Sequence, residues 1–84
     1  MLPRIKIKTA NDTIKEGLIE AYYVSGNIWM EENYKKGIKD GKLTWYYGNG
    51  QIEREGFYSG GKRVGEFIEY ENNGRVKRVR VYND

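Results

Sequence analysis

Residues 41–65 read GKLTWYYGNGQIEREGFYSGGKRVG, two strand-like runs separated and followed by turns. The first run, Leu43, Thr44, Trp45, Tyr46 and Tyr47, is rich in aromatic and β-favouring residues. Asn49-Gly50 follows, a pair favoured by the type I′ hairpin turn because both of its central residues need φ > 0. The second run extends from Ile52 to Tyr58, and Ser59-Gly60-Gly61-Lys62-Arg63-Val64 then turns the chain back. Pairing about Asn49-Gly50 is expected to set Tyr47 opposite Ile52, Trp45 opposite Arg54 and Leu43 opposite Gly56.

The same pattern lies on both sides of this unit. Gly17, Gly41 and Gly65 are 24 residues apart, as are Tyr22/Tyr46/Tyr70, Gly26/Gly50/Gly74, Ile28/Ile52/Val76 and Tyr34/Tyr58/Tyr82. A fixed period of this length marks a repeat architecture, in which each copy buries its apolar face only by stacking on the next. The copies are 17–40, 41–64 and 65–84, within a single domain of 84 residues. The lead-in 1–16 reads as a strand or half repeat, since Ile14, Lys15, Glu16 and Gly17 echo Ile38, Lys39, Asp40 and Gly41. Helical periodicity is missing, and eleven glycines would penalise helices. The fold class is all-β, built of consecutive hairpins.

Alternation along the strands divides the side chains between two faces. Face A is expected to carry the ladders Ile19/Leu43/Phe67, Ile28/Ile52/Val76 and Tyr34/Tyr58/Tyr82. Face B is expected to carry Tyr22/Tyr46/Tyr70 together with Trp29, Phe57, Ile68, Val79 and Val81. Both faces therefore hold apolar residues, which implies either a bulge that breaks the parity or a face used for binding. Across the strands, Glu69 faces Arg78 as an ion pair, and Trp45 lies beside Arg54 for a cation–π contact.

Composition closes off most chemistry. Cysteine and histidine are absent, which excludes disulfides, thiolate zinc sites, cysteine nucleophiles and imidazole acid–base work. The glutamate pairs Glu31-Glu32, Glu53/Glu55 and Glu69/Glu71 read as solvated strand charges rather than as a catalytic pair. Ser25 and Ser59 lie in turns with no base beside them. Gly56, Gly60, Gly61 and Gly65 do not form a phosphate loop, because no helix follows them. Asp12 and Asp40 lack the ligand series of a calcium loop. We therefore expect no catalytic residues, no metal and no cofactor. No apolar run reaches the ~18 residues of a spanning helix. The N-terminus shows no secretory h-region, so the reading is a cytoplasmic protein without a transmembrane segment. A net charge of +3 from 15 basic and 12 acidic residues describes a mixed surface rather than a polybasic one.

The series Gly41, Trp45, Tyr46, Tyr47, Asn49, Gly50, Ile52, Tyr58, Gly61, Lys62, Gly65 resembles the MORN-repeat family, in particular its bacterial variant. The resemblance spans residues 17–84 and implies a single-layer, twisted antiparallel sheet of consecutive β-hairpins. It also implies a binding role: eukaryotic members are linked to protein assembly, dimerisation and phospholipid contact, and bacterial variant members carry the label of antitoxin. The chain departs from the pattern at Ser25, which replaces the turn asparagine, and at Glu71, which replaces the second tyrosine.

Two features suit a partner. The aromatic residues Tyr22, Trp29, Tyr46, Phe57 and Tyr70 offer a ladder on face B. The basic residues Arg75, Lys77, Arg78 and Arg80 lie along the last strand, with Arg78 and Arg80 on face A and Lys77 opposite, and Lys62 and Arg63 add to them by repeat geometry. A sheet of six or seven strands offers a face comparable to the ~800 Å² per partner of a standard protein interface. The expected function is a non-enzymatic protein-binding module, an inhibitor or antitoxin-like neutraliser that acts by steric occlusion of a toxin or defence enzyme. A homodimer burying face A is a further expectation. The alternative is a binder of nucleic acid or anionic lipid through the C-terminal basic strand.

Overall fold

The computed structural model describes residues 16–83. They form six strands: β1 (Gly17–Tyr22), β2 (Ile28–Lys35), β3 (Ile38–Tyr46), β4 (Ile52–Ser59), β5 (Lys62–Tyr70) and β6 (Val76–Tyr82). The strands lie side by side in chain order, each antiparallel to the next, in one open sheet. With extents of 36 × 35 × 14 Å the sheet is a single layer. The fold is all-β, as the hairpin reading expected, and no helix occurs among the described residues. The lead-in strand lies outside the described residues.

Two kinds of turn alternate. Within each copy, the Tyr47 carbonyl accepts the Gly50 N–H at 3.0 Å and the Tyr47 N–H donates to the Gln51 carbonyl at 2.8 Å. Tyr23 and Glu71 make the same two bonds in the other copies. This is a type I turn followed by a glycine at positive φ, a three-residue loop. Gly50 has φ 91°, whereas Asn49 is not at positive φ. The type I′ turn expected at Asn49-Gly50 is therefore not formed. The asparagine serves differently: its Oδ1 accepts the Gln51 N–H at 2.9 Å, which ties the turn without a left-handed backbone. Asn73 repeats this toward Arg75 at 3.0 Å. True type I′ turns lie between the copies, at Lys36-Gly37 (φ 51° and 82°) and Gly60-Gly61 (φ 57° and 88°).

Next to each loop the register slips. Trp45 pairs with Arg54, but Tyr46 pairs with Ile52, so Glu53 is an extra residue. Trp29 and Lys77 are the extra residues of the other two hairpins. A one-residue slip moves everything beyond it to the opposite face. Ile52 therefore faces Tyr46 rather than Tyr47, and the Ile28/Ile52/Val76 ladder expected on face A lies on face B with Tyr22, Tyr46 and Tyr70. The expected pairs Trp45 with Arg54 and Leu43 with Gly56 are formed.

The copies are stitched along the turn edge. The Tyr23 hydroxyl donates to the Tyr46 carbonyl at 2.6 Å, and the Tyr47 hydroxyl donates to the Tyr70 carbonyl at 2.7 Å. Asn49 Nδ2 reaches the Asn72 carbonyl at 2.9 Å, and Asn27 Nδ2 reaches the Gly48 carbonyl at 3.0 Å. At the other edge, Glu16 caps the Lys36 N–H and Asp40 caps the Gly60 N–H. Among the described residues the buried apolar side chains are few, namely Ile19, Ala21 and Leu43, all toward the N-terminal half of face A.

Candidate functional site

Cross-strand partners share a face, so the register assigns each side chain. Face B carries a row of acids. Tyr22 donates to Glu20 at 3.0 Å, Tyr46 donates to Glu31 at 2.9 Å, and Tyr70 donates to Glu55. Burial, and then the bond to Glu31, pushes the Tyr46 hydroxyl up to about 12. The bond to Glu55 raises Tyr70, and the bond to Glu20 raises Tyr22. These three tyrosines hold their polar tips on neighbouring carboxylates of their own sheet. Phe57 also lies on face B, opposite Val64 and exposed, as are Val79 and Val81 of β6 on the same face.

Face A differs. At its N-terminal end Glu32 is buried, only 5% exposed. It accepts the Tyr34 hydroxyl at 2.8 Å and the Trp45 indole N–H at 3.2 Å, and Lys39 Nζ lies 3.9 Å away. Burial, and then the bond to Glu32, pushes Tyr34 up to about 12. Toward the C-terminal end an open groove of about 520 Å³ crosses β3 to β6. Five cations line it (Lys39, Arg54, Arg63, Arg78 and Arg80) against the single acid Glu69. The rings of Trp45, Tyr58, Phe67 and Tyr82 lie among them. Tyr58, Phe67 and Tyr82 pack edge-on, with centroids 5.5 and 5.3 Å apart.

The cations rest on the rings. Arg54 lies 4.3 Å from the Trp45 centroid, the cation–π contact the sequence led us to expect. Lys39 lies 5.1 Å from the Tyr58 ring. Arg63 lies 5.2 Å from the Tyr82 ring and donates to the Tyr82 hydroxyl at 2.8 Å. That bond pulls Tyr82 below its usual value. The expected ion pair of Glu69 with Arg78 is present at 3.6 Å.

The structure divides the residues singled out in the sequence. Arg78 and Arg80 reach the groove; Arg75 lies in the turn after β5, and Lys77 is the extra residue of the β6 bulge. Tyr22, Tyr46, Phe57 and Tyr70 lie on the other face. Trp29, expected on face B, instead packs against Trp45 at 5.4 Å, because the bulge turns it to face A. Lys39 and Arg54 were missed as site residues, whereas Arg63, added to the basic cluster by repeat geometry, does reach the groove. Lys39 and Arg63 recur 24 apart, beside the Tyr34/Tyr58/Tyr82 column already placed on face A. That recurrence was the available signal.

Among the described residues no group of three acidic side chains is placed to hold a metal ion. No helix among them is long and apolar enough to cross a membrane. A family model described as MORN repeat variant matches residues 15–36 and 39–59, just over half of the chain. No curated protein and no solved structure gives a significant match.

Proposed function

This chain belongs to the family of MORN repeat variants, a binding repeat rather than a catalytic one, and from that premise we propose a non-enzymatic module that holds a protein partner in the groove of face A. One observation carries the reading: the groove concentrates cations and aromatic rings on one face, the residue types that dominate interface energetics. The neutraliser reading rests on the same groove, since a sheet 36 × 35 Å across covers a partner's working surface by its bulk.

A homodimer burying face A is disfavoured, because it would set two copies of the cation-rich lining against each other. The alternative of nucleic acid or lipid on the C-terminal basic strand loses its contiguity, because Arg75 and Lys77 stand apart from Arg78 and Arg80.

Photo-crosslinking from adjacent positions tests the proposal. Arg78 lines the groove, and Val79 faces away from it. A benzophenone amino acid in place of Arg78 should give a discrete protein adduct in the cells that make the protein, and one in place of Val79 should not. Equal adducts from both positions, or a nuclease-sensitive adduct from Arg78, would overturn the reading.

A further inference from the structure

The repeat lets one junction between copies serve as a template for the next. At the β2–β3 junction, Glu32, Tyr34, Lys39 and Leu43 come together, and the Glu32 carboxylate is held by the Tyr34 hydroxyl, the Trp45 indole and the Lys39 ammonium. Adding 24 residues gives the β4–β5 junction: Gly56, Tyr58, Arg63 and Phe67, with Glu69, paired to Arg78, in the place of Trp45. The tyrosine is kept and the cation is kept, as arginine. The acid is replaced by glycine, and the Phe67 ring lies over it, so close that a Cβ at Gly56 would sit 2.5 Å from the ring.

Arg63 is therefore a cation whose counter-charge the repeat has removed. Among the described residues neither Arg63 nor Arg54 nor Arg80 has a carboxylate partner; the ion pairs there are Lys39–Glu32, Lys42–Glu55 and Arg78–Glu69. Ring faces instead hold Arg54 and Arg63, and tyrosine hydroxyls take part of the Arg63 fork, which fixes the guanidinium and leaves its remaining N–H groups to an incoming acceptor. Arg80 adds a third positive charge from β6, directly opposite Phe67.

We propose that Arg63, which shares the groove with Arg54 and Arg80, receives a side-chain carboxylate from an acidic segment of the protein partner, supplying from outside the counter-charge that Glu32 supplies to Lys39 from within. This rests on the groove being a protein-binding site and names the chemistry of what enters it. A carboxylate presents two parallel acceptors to a guanidinium fork. Single-stranded nucleic acid is the weaker fit, because base stacking needs open ring faces and here the cations cover them.

The probe is a fluorescein-labelled hexaglutamate peptide followed by anisotropy, with hexaglutamine, a twelve-nucleotide oligothymidylate, and vesicles of 30% phosphatidylserine in phosphatidylcholine as comparisons. The wild-type protein should bind hexaglutamate and not hexaglutamine. Arg63→Gln should weaken binding by about tenfold with unchanged circular dichroism. The double variant Gly56→Glu/Phe67→Leu restores to the second junction the acid and the leucine of the first, while Glu69 stays in the place of Trp45. It should fold, melt no lower than Phe67→Leu alone, and lose the peptide, because the introduced carboxylate satisfies Arg63 internally. Hexaglutamate left unbound by the wild type, bound equally by Arg63→Gln, or bound less tightly than the oligonucleotide or the vesicles would overturn the proposal. A protein adduct from the Arg78 position alongside such a result would leave the groove as a protein site and remove only its acidic ligand class.

Discussion

Single side chains on this sheet are held by polar contacts as much as by burial. The Tyr46 hydroxyl lies against the Glu31 carboxylate, and its pKa rises to about 12 from a usual value near 10. Its folded pKa exceeds its unfolded one, so the neutral hydroxyl contributes stability that is whole below pH ~10 and is lost as pH rises toward 12. Denaturant midpoints should therefore fall across that window, and Tyr46→Phe should flatten the fall; an unchanged slope in the variant would assign the loss to other groups. Gly56 makes the opposite kind of case, since its lack of a side chain is the contact. A methyl there meets the Phe67 ring at 2.5 Å. Gly56→Ala should cost about 1–3 kcal/mol, as overpacking does, and Phe67→Leu in the same chain should recover part of it. Chemical denaturation of the two variants measures both effects.

Among the hairpins, the turns are where the sequence reading and the structure part. Asn49-Gly50 announces a hairpin, and a hairpin is there. The loop has three residues rather than two, because the asparagine side chain bonds forward to Gln51 and only Gly50 takes positive φ. That extra residue creates the bulge at Glu53, and the bulge moves the Ile28/Ile52/Val76 ladder to the other face. Local composition identifies a turn more readily than its length, and one residue of length decides which face is which. The two-residue turn at Lys36-Gly37 places Lys36 at φ 51°, a region that costs an L-residue roughly 1–2 kcal/mol. Asparagine tolerates that conformation better. Lys36→Asn should therefore raise stability by about 0.5–1 kcal/mol, whereas Gly50→Ala, which imposes the same strain at φ 91°, should lower it by about 1–2 kcal/mol. Urea midpoints of the two variants should move in opposite directions.

At the scale of the molecule, the described strands form a one-dimensional array in which each touches mainly the strands beside it. The buried apolar residues Ile19, Ala21 and Leu43 lie toward one end, while β6 is a sheet edge with Val76, Val79 and Val81 exposed. Opening should therefore be graded rather than all-or-none. Amide hydrogen exchange should be slowest in β3 and faster in β6, and uniform protection along the sheet would contradict this. The polarity of the two faces belongs to this scale as well: acids on face B bond tyrosines, and cations on face A gather in the groove.

The 24-residue spacing of Gly17/Gly41/Gly65, Tyr22/Tyr46/Tyr70 and Tyr34/Tyr58/Tyr82 was sufficient by itself to determine an all-β repeat of hairpins, because glycines and strand-forming residues act through local backbone preferences that a linear pattern carries. The ion pair of Glu69 with Arg78 and the contact of Arg54 with Trp45 were legible for the same reason, being direct cross-strand neighbours. Which side chains share the groove was decided only by the tertiary structure. Lys39, Arg54, Arg63 and Arg80 come from four different strands, and their common face depends on the register at every intervening turn and bulge, where a single residue's slip reverses the side on which a charge emerges.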